Sequence, residues 1–446
     1  MNESYKNVDG PQNEIYIISG GTTMPIAPHF SICSEAYGTI GSQLDDRKDR
    51  GDFKDKDVYF IETKMARGRH GLPLHIGNRL KALGWDKDRE IKTNDDVSDL
   101  VDLLVKNRRT RCIVMAAALC DFKPEALLTK NSLVEDFGSH MPRLHGQSNI
   151  QVSMGSTEKI INKIRKTRKD IFLVSFKASS NLSDRELYIQ ALHNLKSSSS
   201  NLVFANDIST ETNMIVTPEE YFYKYKRKCA IAKLAKMIDS RTACTFTRST
   251  VVDGKTVDWS SDKVPSSLRQ VVNHCIDKKA YKPFRNATVG HFAFDGDDGF
   301  IYTSIRKSNF NEIDKVGLVR VEAVGNDKVI AYGAKPSVGG QSQRIIFKEH
   351  KDVNCIVHFH CPMKENSKVP VASQWQNECG SHECGMNTSN NMKEMLPGIK
   401  AVMLEGHGPN IIFNRDIDPQ TVIDFIEDNW SLSEKTGGFV EAEAFA

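Results

Sequence analysis

Two imidazoles at the end of one apolar run, and a third after another, restrict this chain more than any other feature. Residues Val353 to Pro362 read Val-Asn-Cys-Ile-Val-His-Phe-His-Cys-Pro. Cys355 to Phe359 is apolar and β-branched enough for a buried strand. Side chains two apart on a strand share a face, so His358 and His360 are expected to point the same way. Two protonated imidazoles side by side repel, and two buried neutral ones leave polar edges to satisfy. A divalent metal resolves both problems. His407 follows a second apolar run, Ala401 to Leu404, and sits between Gly406 and Gly408 in an expected turn. Three histidines from two strand ends, with one position open for water or substrate, form the ligand set of a catalytic zinc site. The competing reading is a pair of satisfied strand histidines. The third histidine, behind its own strand, favours metal.

A chain of 446 residues is expected to hold two or three domains, each with its own core. The net charge of +3 and scattered basic residues argue against a nucleic-acid partner. The one basic-aromatic run, Tyr223 to Lys228, reads as the solvated start of a helix. No segment approaches the roughly 18 apolar residues of a membrane span. Met1 to Glu14 is polar, so no signal peptide is expected. Ten cysteines without small-scaffold spacing read as reduced thiols, and a cytoplasmic protein is expected.

The first half alternates strands and helices. Ile15 to Ser19 is a short apolar strand that runs into Gly20-Gly21-Thr22-Thr23, where backbone N–H groups can approach an anion. Val58 to Ile61, Cys112 to Ala118, Ile171 to Phe176 and Leu202 to Ala205 read as further strands. Leu74 to Leu83, Val97 to Val105 and Ile160 to Ile164 carry helical apolar spacing, and Ser183 to Glu186 is a capping box. Continuous apolar strands between helices imply a parallel sheet covered on both faces. Ligands then bind at the carboxyl ends of the strands, where Gly20, Asp121 and Asn206 fall.

Ser19-Gly20-Gly21-Thr22, Ala116-Ala117-Ala118 with Asp121-Phe122-Lys123-Pro124, and Ala205-Asn206-Asp207 with Thr212-Asn213 resemble phosphopantothenoylcysteine synthetase, the ligase of coenzyme A biosynthesis. The resemblance covers roughly residues 13–240. It implies a Rossmann-like, usually dimeric fold that activates a carboxylate with CTP or ATP and joins it to cysteine. Carried over, the nucleotide and acid site would comprise Gly20, Gly21, Thr22, Ser34, Gly38, Ala117, Asp121, Phe122, Lys130, Phe176, Asn206 and Asp207. Ser34 stands where that family has an Asn, and Ala36 and Tyr37 stand where it has two serines. Lys130 or Arg143 is the substitute for the family's lysine-rich loop. A related ligand and an altered reaction are therefore expected, without a flavin domain.

Residues 241–265 are polar and read as a linker. Beyond it, a helix with Leu268, Val271, Val272 and Ile276 precedes closely spaced strands at Thr288 to Phe294, Gly299 to Thr303 and Val316 to Val321. That spacing implies antiparallel pairing. Gly290 to Phe294, Thr303-Ser304, Pro336-Ser337 and Gln341 to Pro362, with Ala401 to Gly408, resemble the class II aldolase/adducin fold over roughly residues 266–433. The resemblance implies an α/β/α domain with a mainly antiparallel sheet, often tetrameric. It makes His358, His360 and His407 zinc ligands, and places a substrate phosphate near Gly290, Thr303, Ser304 and Ser337. In such enzymes zinc polarises a carbonyl during aldol cleavage, epimerisation or dehydration. The family's general-base Glu is replaced by Gly339. Glu378 to Gly385 offers Glu383 or His382 as proton acceptor; Cys379 and Cys384 could bind a second metal or form a redox pair, or the stretch is a glycine-rich surface loop. Residues 1–12 and 434–446 read as flexible ends.

The expected product is an α/β protein of two enzyme-like domains. One is a nucleotide-binding, ligase-like half; the other is a zinc-dependent lyase-type half acting on a small phosphorylated carbonyl compound. Small acidic metabolites are the expected partners, within a homo-oligomer. The alternative is a binding or scaffold protein built from degenerate enzyme folds.

Overall fold

A computed structural model of the chain describes all residues except 1–11, 69, 87, 129–132, 135–136, 139, 141–149, 246–247, 326–327, 338–339 and 439–446. The expected roles of Lys130, Arg143 and Gly339 therefore lie outside the described residues. The chain divides into two compact units. One comprises Met1–Ala178, Asn194–Asn206 and Tyr225–Thr242; the other comprises Ser179–His193, Asp207–Lys224 and Ala243–Ala446. Among the described residues, no helix is long and apolar enough to cross a membrane.

The first unit is a parallel α/β layer. Its strands run in the spatial order Leu202–Asp207, Phe172–Ser179, Thr110–Ala118, Glu14–Ala27, with Asp57–Glu62 also paired to Glu14–Ala27. The pairings of Glu14–Ala27 with Asp57–Glu62 and Thr110–Ala118, and of Thr110–Ala118 with Phe172–Ser179, are parallel. Ile15, Ile17, Ile113, Val114, Leu173 and Val174 are fully buried, as a sheet covered on both faces requires. The helix Asn94–Lys106 buries Val97, Leu100, Val101 and Leu104 on one face and begins at a capping box between Thr93 and Asp96. Glu14–Ala27 continues well past the expected Ser19. Its second half turns into an antiparallel pairing with Phe30–Ser34, with Thr22 opposite Ser34.

The second unit is built on a mainly antiparallel sheet. Its order is Arg248–Val252, Lys328–Tyr332, Leu318–Val324, Ile301–Ser304, His291–Asp295, Cys355–His358, Gly408–Phe413, Ile399–Leu404, Val371–Ala372. The polar stretch 241–265 thus contributes an edge strand, paired parallel to Lys328–Tyr332. Alternation divides the side chains between two faces. Phe292, Phe294, Tyr302, Val357 and Ile411 join a core with Leu268, Val271 and Val272 of the helix Ser266–Asp277 and Val422 and Ile426 of Pro419–Asn429. Ala293, Ile301, Ile356, Val402 and Ile412 pack on the other face with Ile346 and Phe347 of the helix Gly340–Glu349. The result is helix, sheet, helix. The basic-aromatic run differs from its reading: Phe222–Tyr225 is a strand, and the helix starts at Arg227.

One buried acid ties the amino ends of the first unit's strands. Glu14 is fully buried and accepts hydrogen bonds from Tyr16 Oη at 2.6 Å, Arg79 Nη2 at 2.7 Å and Asn107 Nδ2 at 2.6 Å. Burial pushes this carboxyl up, but the bonds from Tyr16, Arg79 and Asn107 outweigh it and hold it below the ordinary 4.5. A depressed folded value gives stability that is present above the unfolded value and lost as pH falls through the folded one. Glu14→Gln is expected to destabilise the first unit by about 1–3 kcal/mol at pH 7, and by progressively less below pH 4.5. Urea titrations at pH 7 and pH 3 measure this; an equal deficit at both values would refute the assignment.

Candidate metal centre

The sheet register builds the centre. Cys355–His358 pairs antiparallel with Gly408–Phe413, placing His358 opposite Asn410. On its other side it pairs with His291–Asp295, placing His358 opposite His291. His360 lies just beyond the strand end. His407 occupies the turn between Ile399–Leu404 and Gly408–Phe413, where its N–H donates to the Leu404 carbonyl at 3.0 Å.

The three imidazoles converge. One ring nitrogen from each of His358, His360 and His407 lies within 4.8 Å of the others. Ring centroids are 5.1 Å apart for 358–360, 4.6 Å for 358–407 and 4.7 Å for 360–407, with the planes close to mutually perpendicular at 68–77°. All three residues are buried, at 2%, 6% and 6% exposure, so water alone does not dissolve their charge problem. Burial, with His407 adding to it, holds His358 well below the ordinary imidazole value of 6.5. His358 Nδ1 lies 2.7 Å from the Pro409 carbonyl oxygen and, as the only possible donor, carries the proton. That leaves Nε2 with its lone pair free to ligate, the usual outer-shell arrangement of a metal-binding histidine. The residues present therefore fit a divalent cation.

A further imidazole stands behind the triad. His291 stacks on His358 with centroids 4.6 Å apart, and its Nδ1 is 2.8 Å from Gln343 Nε2. Burial, then the neighbouring His358, keeps His291 uncharged by pushing it well below 6.5. Neither His291, Gln343 nor Asn410 was legible as a site residue. The available signal was register: strand alternation puts 291, 293 and 358 on one face once the pairing is known.

The remaining expected residues fall as follows. Gly290, at φ 122°, lets the backbone pass where a Cβ would stand 2.6 Å from the His358 carbonyl oxygen. Thr303 spends its hydroxyl on the Phe292 carbonyl at 3.3 Å. The Ser304 carbonyl accepts from the Ser337 N–H at 3.0 Å, bringing those two positions together, and the Ser304 hydroxyl is buried without a partner. His382 and Glu383 begin a helix, His382–Asn391, capped by Ser381, in place of a glycine-rich surface loop. The Glu383 carboxylate accepts from Thr245 N at 2.8 Å and Thr245 Oγ1 at 2.9 Å, and it is not among the clustered groups. Cys384 is a buried thiol 3.1 Å from Gln374 Nε2, neither it nor Cys379 is in a disulfide, and no second metal cluster occurs among the described residues.

In the first unit, Gly20 pairs with Ala117 and Gly21 with Ala118 at the carboxyl ends of adjacent parallel strands. Thr22 Oγ1, Asn94 Oδ1 and Cys120 N form a closed buried set, at 2.7 Å, 3.1 Å and 3.0 Å. Asn94 was not anticipated. Ser34 Oγ donates to the Leu119 carbonyl at 3.0 Å, and Gly38 precedes the helix Thr39–Asp45. Asp121 is exposed beside Lys159, Phe122 is 57% exposed, and Phe176 packs on Phe204 at 5.3 Å. Asn206 is buried at a strand end. Asp207, within the second unit, is turned onto backbone: it accepts from Leu182 N at 2.9 Å, Thr210 N at 2.9 Å and Ser209 N at 3.1 Å, contacts that hold its carboxyl below the usual range.

Each imidazole would supply one of three bonds to such a cation. Alanine at 358, 360 or 407 is expected to weaken zinc affinity by roughly 100-fold or more while leaving the fold intact. Competition titration against a chromophoric chelator reads this; unchanged affinity in a folded His360→Ala protein would remove the assignment.

No family model matches this chain. Part of it is similar to the Coenzyme A biosynthesis bifunctional protein CoaBC of Thermococcus kodakarensis, at 24% identity over 226 residues, covering 50% of this chain and 48% of that protein. The CoaBC of Methanocaldococcus jannaschii is 24% identical over 203 residues, covering 46% and 42%. The chain thus spans about half the length of the curated relatives it matches. Among solved structures, the DNA/Pantothenate Metabolism Flavoprotein from Streptococcus pneumoniae aligns over 50% of this chain and 98% of its own, with TM-score 0.39 and 20% identity. An L-fuculose 1-phosphate aldolase aligns over 38% and 84%, with TM-score 0.29 and 16% identity. Half of the chain is therefore similar to CoaBC.

Proposed function

We propose that this protein is a two-part metabolic enzyme. Its second unit carries a metal-dependent lyase-type site for a small phosphorylated carbonyl compound. Its first half is a ligase-like module that binds CTP or ATP and an acid. The convergence of three buried imidazoles within 4.8 Å is the observation that carries the reading. A buried cluster of imidazoles, one of them with its proton held by the Pro409 carbonyl, is poorly stabilised alone and well stabilised around a cation.

A divalent cation held by His358, His360 and His407 would polarise a substrate carbonyl. The protein's own residues do the rest. Pro409 fixes the His358 ring through its carbonyl. His291 and Gln343 back that ring with an uncharged polar wall. Ser304, Ser337 and the backbone at Gly290 receive the phosphate. His382 or Glu383 accepts the proton, Glu383 only by giving up Thr245. Similarity to CoaBC over half of the chain supports a nucleotide and acid site, with Gly20, Gly21 and Ala117 at adjoining strand ends.

Turnover of phosphorylated hydroxy-carbonyl compounds is expected to vanish on chelation and return with zinc, manganese or cobalt. His407→Ala should lower kcat/KM by about 10²–10⁴. CTP or ATP at 100 times its Kd should stabilise the protein by about 2.7 kcal/mol in thermal melts. Chelator-resistant turnover would end the lyase reading; silence toward both nucleotides would end the ligase-like one.

A further inference from the structure

Two of the three proposed ligands share a support that lies far away in sequence. The turn Thr217–Tyr221, from the segment Asp207–Lys224, is closed by bonds from the Thr217 N–H to the Tyr221 carbonyl and from the Glu220 N–H to the Thr217 carbonyl, both 3.0 Å. Glu220 holds φ 64°, a conformation uncommon for a residue with a side chain. The turn presents the Tyr221 ring to Gly406, the residue before His407. A Cβ at 406 would stand 2.8–3.0 Å from three ring carbons, so the turn bearing His407 lies flat on that ring. The edge of the same ring meets Gly437, where a Cβ would stand 1.8 Å from one ring carbon and 2.4 Å from the next.

The strand of chain that carries Gly437 is the second element of the support. Thr436 N donates to the carbonyl of His360 at 3.0 Å. The Lys435 side chain is buried, and its Nζ is 3.0 Å from Glu220 Oε2 and 3.0 Å from Tyr188 Oη. Tyr188 Oη in turn donates to the Glu220 carbonyl at 2.8 Å. The ion pair sits at 4% and 2% side-chain exposure, where breaking it by removing one partner leaves an uncompensated charge. One clamp therefore touches the backbone of His360 and the turn of His407.

We propose that Tyr221 and the Lys435–Glu220 pair are positioning residues that set the separation of His360 and His407 for metal binding. This rests on the metal reading above. A ligand set needs placement within about half an ångström, and outer supports are typically worth 10–100-fold in affinity. The clamp also explains why 435–438, within a stretch read as a loose end, is packed down to Gly438.

Cobalt(II) titration of the full-length chain, followed by visible absorption and calorimetry, tests this. Tyr221→Phe keeps the ring and should bind cobalt within about 2-fold of wild type, with the same ligand-field bands. Tyr221→Ala should bind about 10–100-fold more weakly, with altered band positions or intensity. The double variant Glu220→Gln, Lys435→Met keeps volume while removing both charges, and should weaken binding likewise; it decides the matter if Tyr221→Ala does not fold. Tyr221→Ala or the double variant, if folded by circular dichroism and binding cobalt with wild-type affinity and spectrum, overturns the proposal. Wild-type protein that takes up no cobalt overturns the metal reading itself, and the clamp's role with it.

Discussion

The pairing of Cys355–His358 between His291–Asp295 and Gly408–Phe413 is the constraint on which the second unit depends. Side chains on a strand alternate, so a slip of one residue would send His358 to the opposite face and bring Val357 to the site. Both faces are buried here, one under Ser266–Asp277 and Pro419–Asn429, the other under Gly340–Glu349. Each face supplies an apolar set that fits only one register: Val357 and Ile411 on one, Ile356 and Ile412 on the other. The hydrophobic effect thus selects the pairing, and the imidazoles take their positions as a consequence.

The same division of labour appears in the first unit, with different chemistry. Its strands are parallel and buried, so their carboxyl ends gather without any ligand's help. The polar groups gathered there have to be satisfied locally. Thr22, Asn94 and Cys120 do so in a closed set, which fixes the loop after Ala118 against the middle of Glu14–Ala27. Glu14 performs a similar service at the amino ends, with Arg79 and Asn107. Apolar pattern places the strands, and buried polar groups then fix the loops.

What was legible follows from this. The strands Thr110–Ala118, Phe172–Ser179 and Cys355–His358 and the helices Leu74–Ala82 and Ser266–Asp277 were readable because burial imposes a period on local sequence. The three histidines were readable because one ends a strand, the next lies two residues on, and the third follows another strand. His291 was not, since its closeness to His358 comes from a partner strand more than sixty residues away. Nor was the helix at His382, whose signal, Ser381 as cap, was masked by the neighbouring glycines. Glu383 illustrates the limit: a carboxylate near a metal motif in sequence is spent, in the fold, on Thr245.

The boundary between units carries the same lesson further. Composition places a break near 241–265, because polar residues accumulate there. Packing instead assigns Ser179–His193 and Asp207–Lys224 to the second unit, since Tyr188, Glu220 and Tyr221 bury themselves against residues 406 and 435–438. A local pattern cannot report such contacts, because the sequence distance between Glu220 and Lys435 leaves no periodic trace. What it does leave is chemical oddity: Lys435 in a glycine-rich tail, Glu220 in a left-handed turn, and glycine at 406 and 437. Each is unremarkable alone, and the four become intelligible together only when one aromatic ring is seen to fill the space the two glycines leave.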